Sequence, residues 1–230
     1  MAQADILIIG AGIAGVSAGF GLAGQGHVTI VEQEPVPAYH TTGRSAAFYA
    51  ETYGNEAVRR LTTASKGFFL SPPPGFADLP LVRDRGALFI AREDQDAALS
   101  ALFEAKSAVL PSVARVDRTF IEEKVPAIRP GYAVAGVWDP ECRDIDVHAL
   151  HQSFLKGFKA QGGRLVTDAP VVALERRAGR WIATTRNGAT FTADLVVNAA
   201  GAWADQVAEM AGAAPVGLSP KRRTVILFPA

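Results

Sequence analysis

Cysteine is almost missing from this chain. Its 230 residues hold one, Cys142, which excludes an internal disulfide and a multi-cysteine metal site. Charge imbalance is missing too. Lys plus Arg and Asp plus Glu number 23 each, so no net charge recruits nucleic acid or an acidic membrane surface. No segment approaches the ~20 apolar residues that a membrane span needs. Repeats and low-complexity tracts do not occur. The N-terminus enters a strand-like run almost at once, leaving no room for a signal peptide, and the expected compartment is the cytoplasm. Two of the four histidines, His148 and His151, stand three positions apart on a helical stretch. With no third ligand nearby they predict solvated or capping side chains and no metal.

What is present is concentrated in the first 32 residues. Asp5 to Ile9 has the pattern of a strand buried on both faces, and Val28 to Val31 is a second, β-branched run. Between them Gly10, Gly12 and Gly15 fill the G-x-G-x-x-G spacing. Gly10 permits a sharp turn, Gly12 lets a pyrophosphate approach the backbone, and Gly15 allows close helix–strand packing. The helix that follows presents free N–H groups and a partial positive charge to phosphates. Glu32 lies 22 positions after Gly10, where a carboxylate accepts hydrogen bonds from ribose hydroxyls and repels a 2′-phosphate. The expected ligand is therefore FAD or NAD.

The remaining pattern predicts an α/β protein of two discontinuous domains. Helices are expected over Ile13–Gln25, from an Asn55 N-cap to the Pro72-Pro73-Pro74 stop, over Asp94–Val109, before Pro126, from Asp146 to Gly162-Gly163, and over Trp203–Ala211. Strands are expected at Ala87–Ala91, Ala133–Trp138, Arg164–Thr167, Val171–Arg177, Trp181–Thr185 and Leu195–Asn198, with a hairpin at Asn187-Gly188. The early βαβ unit and the Leu195 strand call for one parallel sheet, which assigns residues 1–45 and 140–215 to a first domain. Residues 46–139 and 216–230 are assigned to a second, with a mixed sheet. The chain stops directly after the strand-like run Val225–Ala230, which reads as an interrupted, C-terminally truncated domain.

Five motifs spread from end to end carry a resemblance: IIGAGIAG, YHTTGRSAAFY, DIDVHALHQ, VVNAAGAWAD and GLSPKRR. Together they resemble the D-amino-acid oxidase/dehydrogenase superfamily of FAD-dependent oxidoreductases. They are most similar to its bacterial D-amino-acid dehydrogenases, including the D-arginine dehydrogenase type. The resemblance implies FAD, held in a Rossmann-type FAD-binding domain, and a second domain that binds substrate. It places Ala14 at the pyrophosphate, and Glu32 and Gln33 at the adenosine half. Thr41, Thr42, Gly43, Arg44, Ser45, Ala46, Ala47 and Phe48 are implied along the ribityl chain and flavin ring. Val171 is implied to pair its backbone with adenine, and Ala199, Ala200 and Gly201 to end a strand beside the cofactor.

The implied reaction converts an α-amino acid to its imino acid, which water hydrolyses to a 2-oxo acid and ammonia, with hydride passing from the substrate Cα to flavin N5. The resemblance gives Arg222 the substrate carboxylate, because its planar fork meets both oxygens, and gives Tyr53 a phenolic hydrogen bond. Two departures shape the substrate expectation. Relatives that favour cationic side chains carry a carboxylate where this chain has Gly86-Ala87-Leu88, and a histidine where it has Phe48. An apolar or mixed preference is expected instead. His40 stands where some superfamily members bond covalently to flavin, and a non-covalent cofactor is expected here. The family's C-terminal glycine-rich loop and second arginine do not occur in these residues. Alternatives are a 2-hydroxy-acid oxidase on the same fold and a catalytically incomplete flavin-binding fragment.

Overall fold

The computed structural model describes residues 2–222 and Thr224. Arg223 of the GLSPKRR motif and the Val225–Ala230 run lie outside the described residues. The chain divides into two compact units, Met1–Ser45 with His151–Ala230, and Ala46–Leu150.

In the first unit four parallel strands lie in the order Arg164–Val166, Val28–Val31, Ile6–Ile9, Leu195–Asn198. Ile6 stands opposite Val28 on one side and Leu195 on the other. Every side chain of Val28–Val31 is buried, as a parallel sheet covered on both faces requires. One face packs Ile8, Val28 and Ile30 against Val16 of helix Ile13–Leu22 and against Leu155 and Phe158 of helix Val147–Ala160. The other face packs Leu7, Ile9 and Val31 against Leu174, Ala183 and Phe191 of a second sheet. That sheet runs Ala2–Gln3, Thr190–Ala193, Arg180–Thr185, Val171–Arg177. Burying each such Leu, Ile or Phe side chain is worth roughly 1.5–3 kcal/mol. Gly19 lets the first helix lie close, since a Cβ there would stand 2.8 Å from Ile30 Cδ1. The expected hairpin forms with Gly188 at φ +84°, and Asn187 Oδ1 accepts from Ala189 N (3.1 Å).

The second unit holds two three-stranded antiparallel sheets where one mixed sheet was expected. Phe48–Tyr49, Arg143–Ile145 and Val82–Asp84 form one; Ala87–Ala91, Ala135–Asp139 and Ala114–Asp117 form the other. Helix Asp96–Ser107 supplies Leu99 to a core with Ala91, Leu110, Val113 and Val137. Because Arg143–Ile145 pairs inside this unit, the boundary falls near residue 150 instead of 139. The segment after Ala213 groups with the first unit. There the Asp205 carboxylate accepts from Val216 N (2.9 Å) and Leu218 N (2.6 Å).

Candidate functional site

The glycine turn leaves the Ile6–Ile9 strand with Gly10 at φ +107°, a conformation that L side chains rarely adopt. A Cβ on Gly10 would stand 2.4 Å from Ala199 O, and one on Gly15 1.8 Å from Gly10 O. These two glycines are required by the turn itself. Gly12 differs: a Cβ there would meet only Thr42 Oγ1, at 3.2 Å. Gly12 is the N-cap of helix Ile13–Leu22, whose first turn carries no acidic side chain. No side chain of the helix itself therefore offsets its positive end. One of its free donors, Ile13 N, is taken by Thr42 Oγ1 (3.0 Å).

A cleft opens at this point. Of the residues expected to bind cofactor, Gly10, Gly12, Glu32, Gln33, Thr41, Thr42, Val171, Ala200 and Gly201 line it. Ala14 and Gly15 follow on the helix, and Gly43, Arg44 and Ser45 belong to the same unit but lie outside the lining. Ala46, Ala47, Phe48 and Tyr53 fall in the second unit. Arg222 is exposed and belongs to no helix or strand. Backbone open to close approach at Gly12, a helix N-terminus and an acceptor carboxylate at Glu32 fit a dinucleotide pyrophosphate and ribose.

Glu32 is held firmly. Its Oε2 accepts from Ala11 N (2.7 Å) and its Oε1 from Glu34 N (3.0 Å), and each oxygen keeps further acceptor capacity. Across the cleft, Trp203 packs its ring 4.6 Å from that of His40, and both line the cavity. His40 Nε2 also pairs with Glu34 Oε1 (2.8 Å). Arg44 turns back onto its own loop, donating from Nε to Tyr39 O (3.1 Å) and lying 4.8 Å from the Tyr39 ring centroid. The solvated or capping reading of the helical histidines needs correction at His151. It is 1 % exposed and meets Ala11 O through Nε2 at 2.9 Å. His148 is exposed. Helical spacing gave no warning, because residue 151 faces the glycine turn only once the helix docks on the sheet.

In the second unit Tyr53 is 62 % exposed, its ring 6.1 Å from that of Phe48. The four residues before it, Tyr49 to Thr52, are all buried. Two charged networks hold that turn. Thr52 Oγ1 donates to Asp139 Oδ2 and accepts from Lys106 Nζ, both at 2.8 Å. Lys66 Nζ lies 2.6 Å from Glu51 Oε1 and 3.0 Å from Glu141 Oε2. Burial lowers the Lys106 pKa against the pull of Asp139. Burial, and then the Asp139 carboxylate, pushes the Cys142 thiol up to about 12. Sequence patterning missed all six of these network residues, since ion pairs and hydrogen bonds between distant side chains carry no periodic signature.

Comparison with known proteins follows the same lines. Residues 5–230 match the family described as DAO, FAD dependent oxidoreductase. The mitochondrial dimethylglycine dehydrogenase of Homo sapiens is 27% identical over 226 residues, covering 91% of this chain and 24% of that protein. L-2-hydroxyglutarate dehydrogenase of Escherichia coli is 24% identical over 218 residues, covering 92% of this chain and 50% of the enzyme. Glycine oxidase from Geobacillus kaustophilus has the same fold, with a TM-score of 0.81 at 18% identity over 92% of this chain and 59% of that one. The chain spans about half the length of the Escherichia coli relative and about a quarter of the human one.

Proposed function

The chain belongs to the family of FAD dependent oxidoreductases, and from that premise we propose that it oxidises D-amino acids to imino acids and thence 2-oxo acids. The observation that carries the reading is the convergence of Gly12, Glu32 and Thr42 on one cleft at a helix N-terminus. When bound, the flavin supplies a hydride acceptor at N5. The residues of the chain bind and orient. First-turn N–H groups of helix Ile13–Leu22 other than Ile13 N, which Thr42 holds, would serve the pyrophosphate, Glu32 the ribose hydroxyls, and the Thr41–Phe48 segment the ribityl chain and ring. Arg222 offers its fork to the substrate carboxylate, and Tyr53 adds a phenolic hydrogen bond. The substrate reacts as the neutral amine, so neither side chain has to act as a base. An apolar side-chain preference accords with Gly86-Ala87-Leu88, where no carboxylate stands and the Trp138 indole fills the space a Gly86 Cβ would need.

A second reading, oxidation of a 2-hydroxy acid, is favoured by the match to L-2-hydroxyglutarate dehydrogenase. Anaerobic mixing of the FAD-loaded protein with D-Leu, D-Phe, D-Met, D-Arg or L-2-hydroxyglutarate separates the two. Bleaching of the flavin by the apolar D-amino acids is expected. Bleaching by the hydroxy acid alone transfers the reading to the second class, and a marked advantage for D-Arg rejects the apolar preference. Bound FAD that no substrate bleaches leaves a non-catalytic flavin-binding protein.

A further inference from the structure

Ala11 is fully buried between Gly10 and Gly12, and both polar groups flanking its Cα are tied to side chains from elsewhere in the fold. Its N–H donates to Glu32 Oε2 (2.7 Å). Its carbonyl accepts from His151 Nε2 (2.9 Å) and from Ala38 N (3.2 Å). Flanking glycines impose almost no conformational preference, so the orientation of this Gly-Ala-Gly stretch depends on its hydrogen bonds: those of Ala11, Gly10 N to Val31 O (2.8 Å) and Val16 N to Gly12 O (3.0 Å). A carbonyl only accepts, which places the ring proton of His151 on Nε2. Its Nδ1 then faces the Gln152 amide nitrogen at 3.3 Å and accepts from it.

We propose that His151 is a positioning residue for the phosphate-binding turn: its Nε2–H locks the Ala11 peptide and so pre-sets the Gly12 backbone before a dinucleotide arrives. The proposal rests on reading this turn as the FAD cradle. Ordering a loose residue on binding costs about 1–2 kcal/mol of backbone entropy, and His151 removes that cost in advance. Its ring does not need to touch the ligand, because it acts through the peptide it holds.

The test titrates flavin-stripped protein with FAD and reads quenching of flavin fluorescence. His151→Met fills similar volume without a donor and should weaken FAD roughly tenfold. His151→Gln sets an amide N–H close to the Nε2 position and should stay within about threefold of wild type. A Met variant that binds FAD like wild type overturns the proposal, even if its melting temperature falls. A Gln variant as weak as the Met variant also overturns it, since ring shape and not the donor would then matter. If the Met variant fails to fold, ¹⁵N-histidine spectra of the wild type decide. A protonated Nε2 whose signal moves on FAD addition supports the proposal, and an Nδ1-protonated ring rejects it. Wild-type protein that takes up no FAD overturns the cradle reading itself.

Discussion

Gly12 and Gly15 stand three residues apart in one turn yet answer to different constraints. A methyl group at Gly15 would lie 1.8 Å from Gly10 O, so Gly15→Ala forces backbone to move and should cost at least about 1–3 kcal/mol of stability in a melt. At Gly12 the same methyl meets only the Thr42 hydroxyl at 3.2 Å. Gly12→Ala should therefore keep its melting temperature within a few degrees and lose FAD affinity instead. An equal loss of melting temperature in both variants would refute this division of labour. The G-x-G-x-x-G spacing and the separate parts of its three glycines were legible in the sequence; the atoms that enforce them, Gly10 O at Gly15, Ala199 O at Gly10 and Thr42 Oγ1 at Gly12, were not. Cys142 makes a second residue-scale case. It is 2 % exposed and its thiol is pushed up to about 12, so native protein should resist iodoacetamide at mildly alkaline pH and react once denatured.

Among the elements, helix Glu56–Leu70 was readable at its start. Asn55 was expected as its N-cap, and Asn55 Oδ1 does accept from Val58 N (3.0 Å). Asn55→Ala should lower the stability of this unit by about 1 kcal/mol, measured by urea unfolding. On that helix Val58, Leu61, Ala64 and Phe68 recur at 3- and 4-residue steps, but Val58 is 40 % and Leu61 70 % exposed; periodicity names a face and not what covers it. Strands Val82–Asp84, Ala114–Asp117 and Arg143–Ile145 escaped sequence reading for a related reason. They are short and rich in Arg and Asp, and become strands through their pairing partners. The same unit carries a pH dependence. Hydrogen bonds from Ser112 and Lys66 hold Glu141 below its ordinary value of 4.5. The unfolded chain therefore takes up this proton first as pH falls, so the contribution is full above 4.5 and is lost below it. Glu141→Gln should lower stability at neutral pH, converge with wild type in acid and so flatten the acid limb of the stability profile; an unaltered acid limb would remove Glu141 from the account.

For the whole molecule, balanced charge and family membership set the expectations. With 23 charges of each sign and a pI near 6.9, solubility should pass through a minimum near neutral pH, and heparin should not retain the protein at physiological salt. Firm retention would reveal a basic surface that the composition hides. The α/β class and the parallel sheet were both visible beforehand, because the two β-branched runs and the late Leu195 strand admit few other arrangements. The separation into two antiparallel sheets in residues 46–150 was not. The chain leaves strand Val82–Asp84 of one sheet for Ala87–Ala91 of the other through Gly86, at φ +78°, where the Trp138 indole stands in the space of a side chain.

Local chemistry was written into the chain: the turn that only glycine tolerates, the helix behind it, the acidic residue at the next strand end, and the hairpin at Asn187. These depend on neighbours within a few residues or on one supersecondary unit, so the order of amino acids specifies them directly. Folding alone decided that His151 would reach back 140 positions to Ala11, and that Lys106, Thr52 and Asp139 would share one buried network. A hydrogen bond between distant residues exists only after the core has brought its donor and acceptor together, and no pattern along the chain records that event.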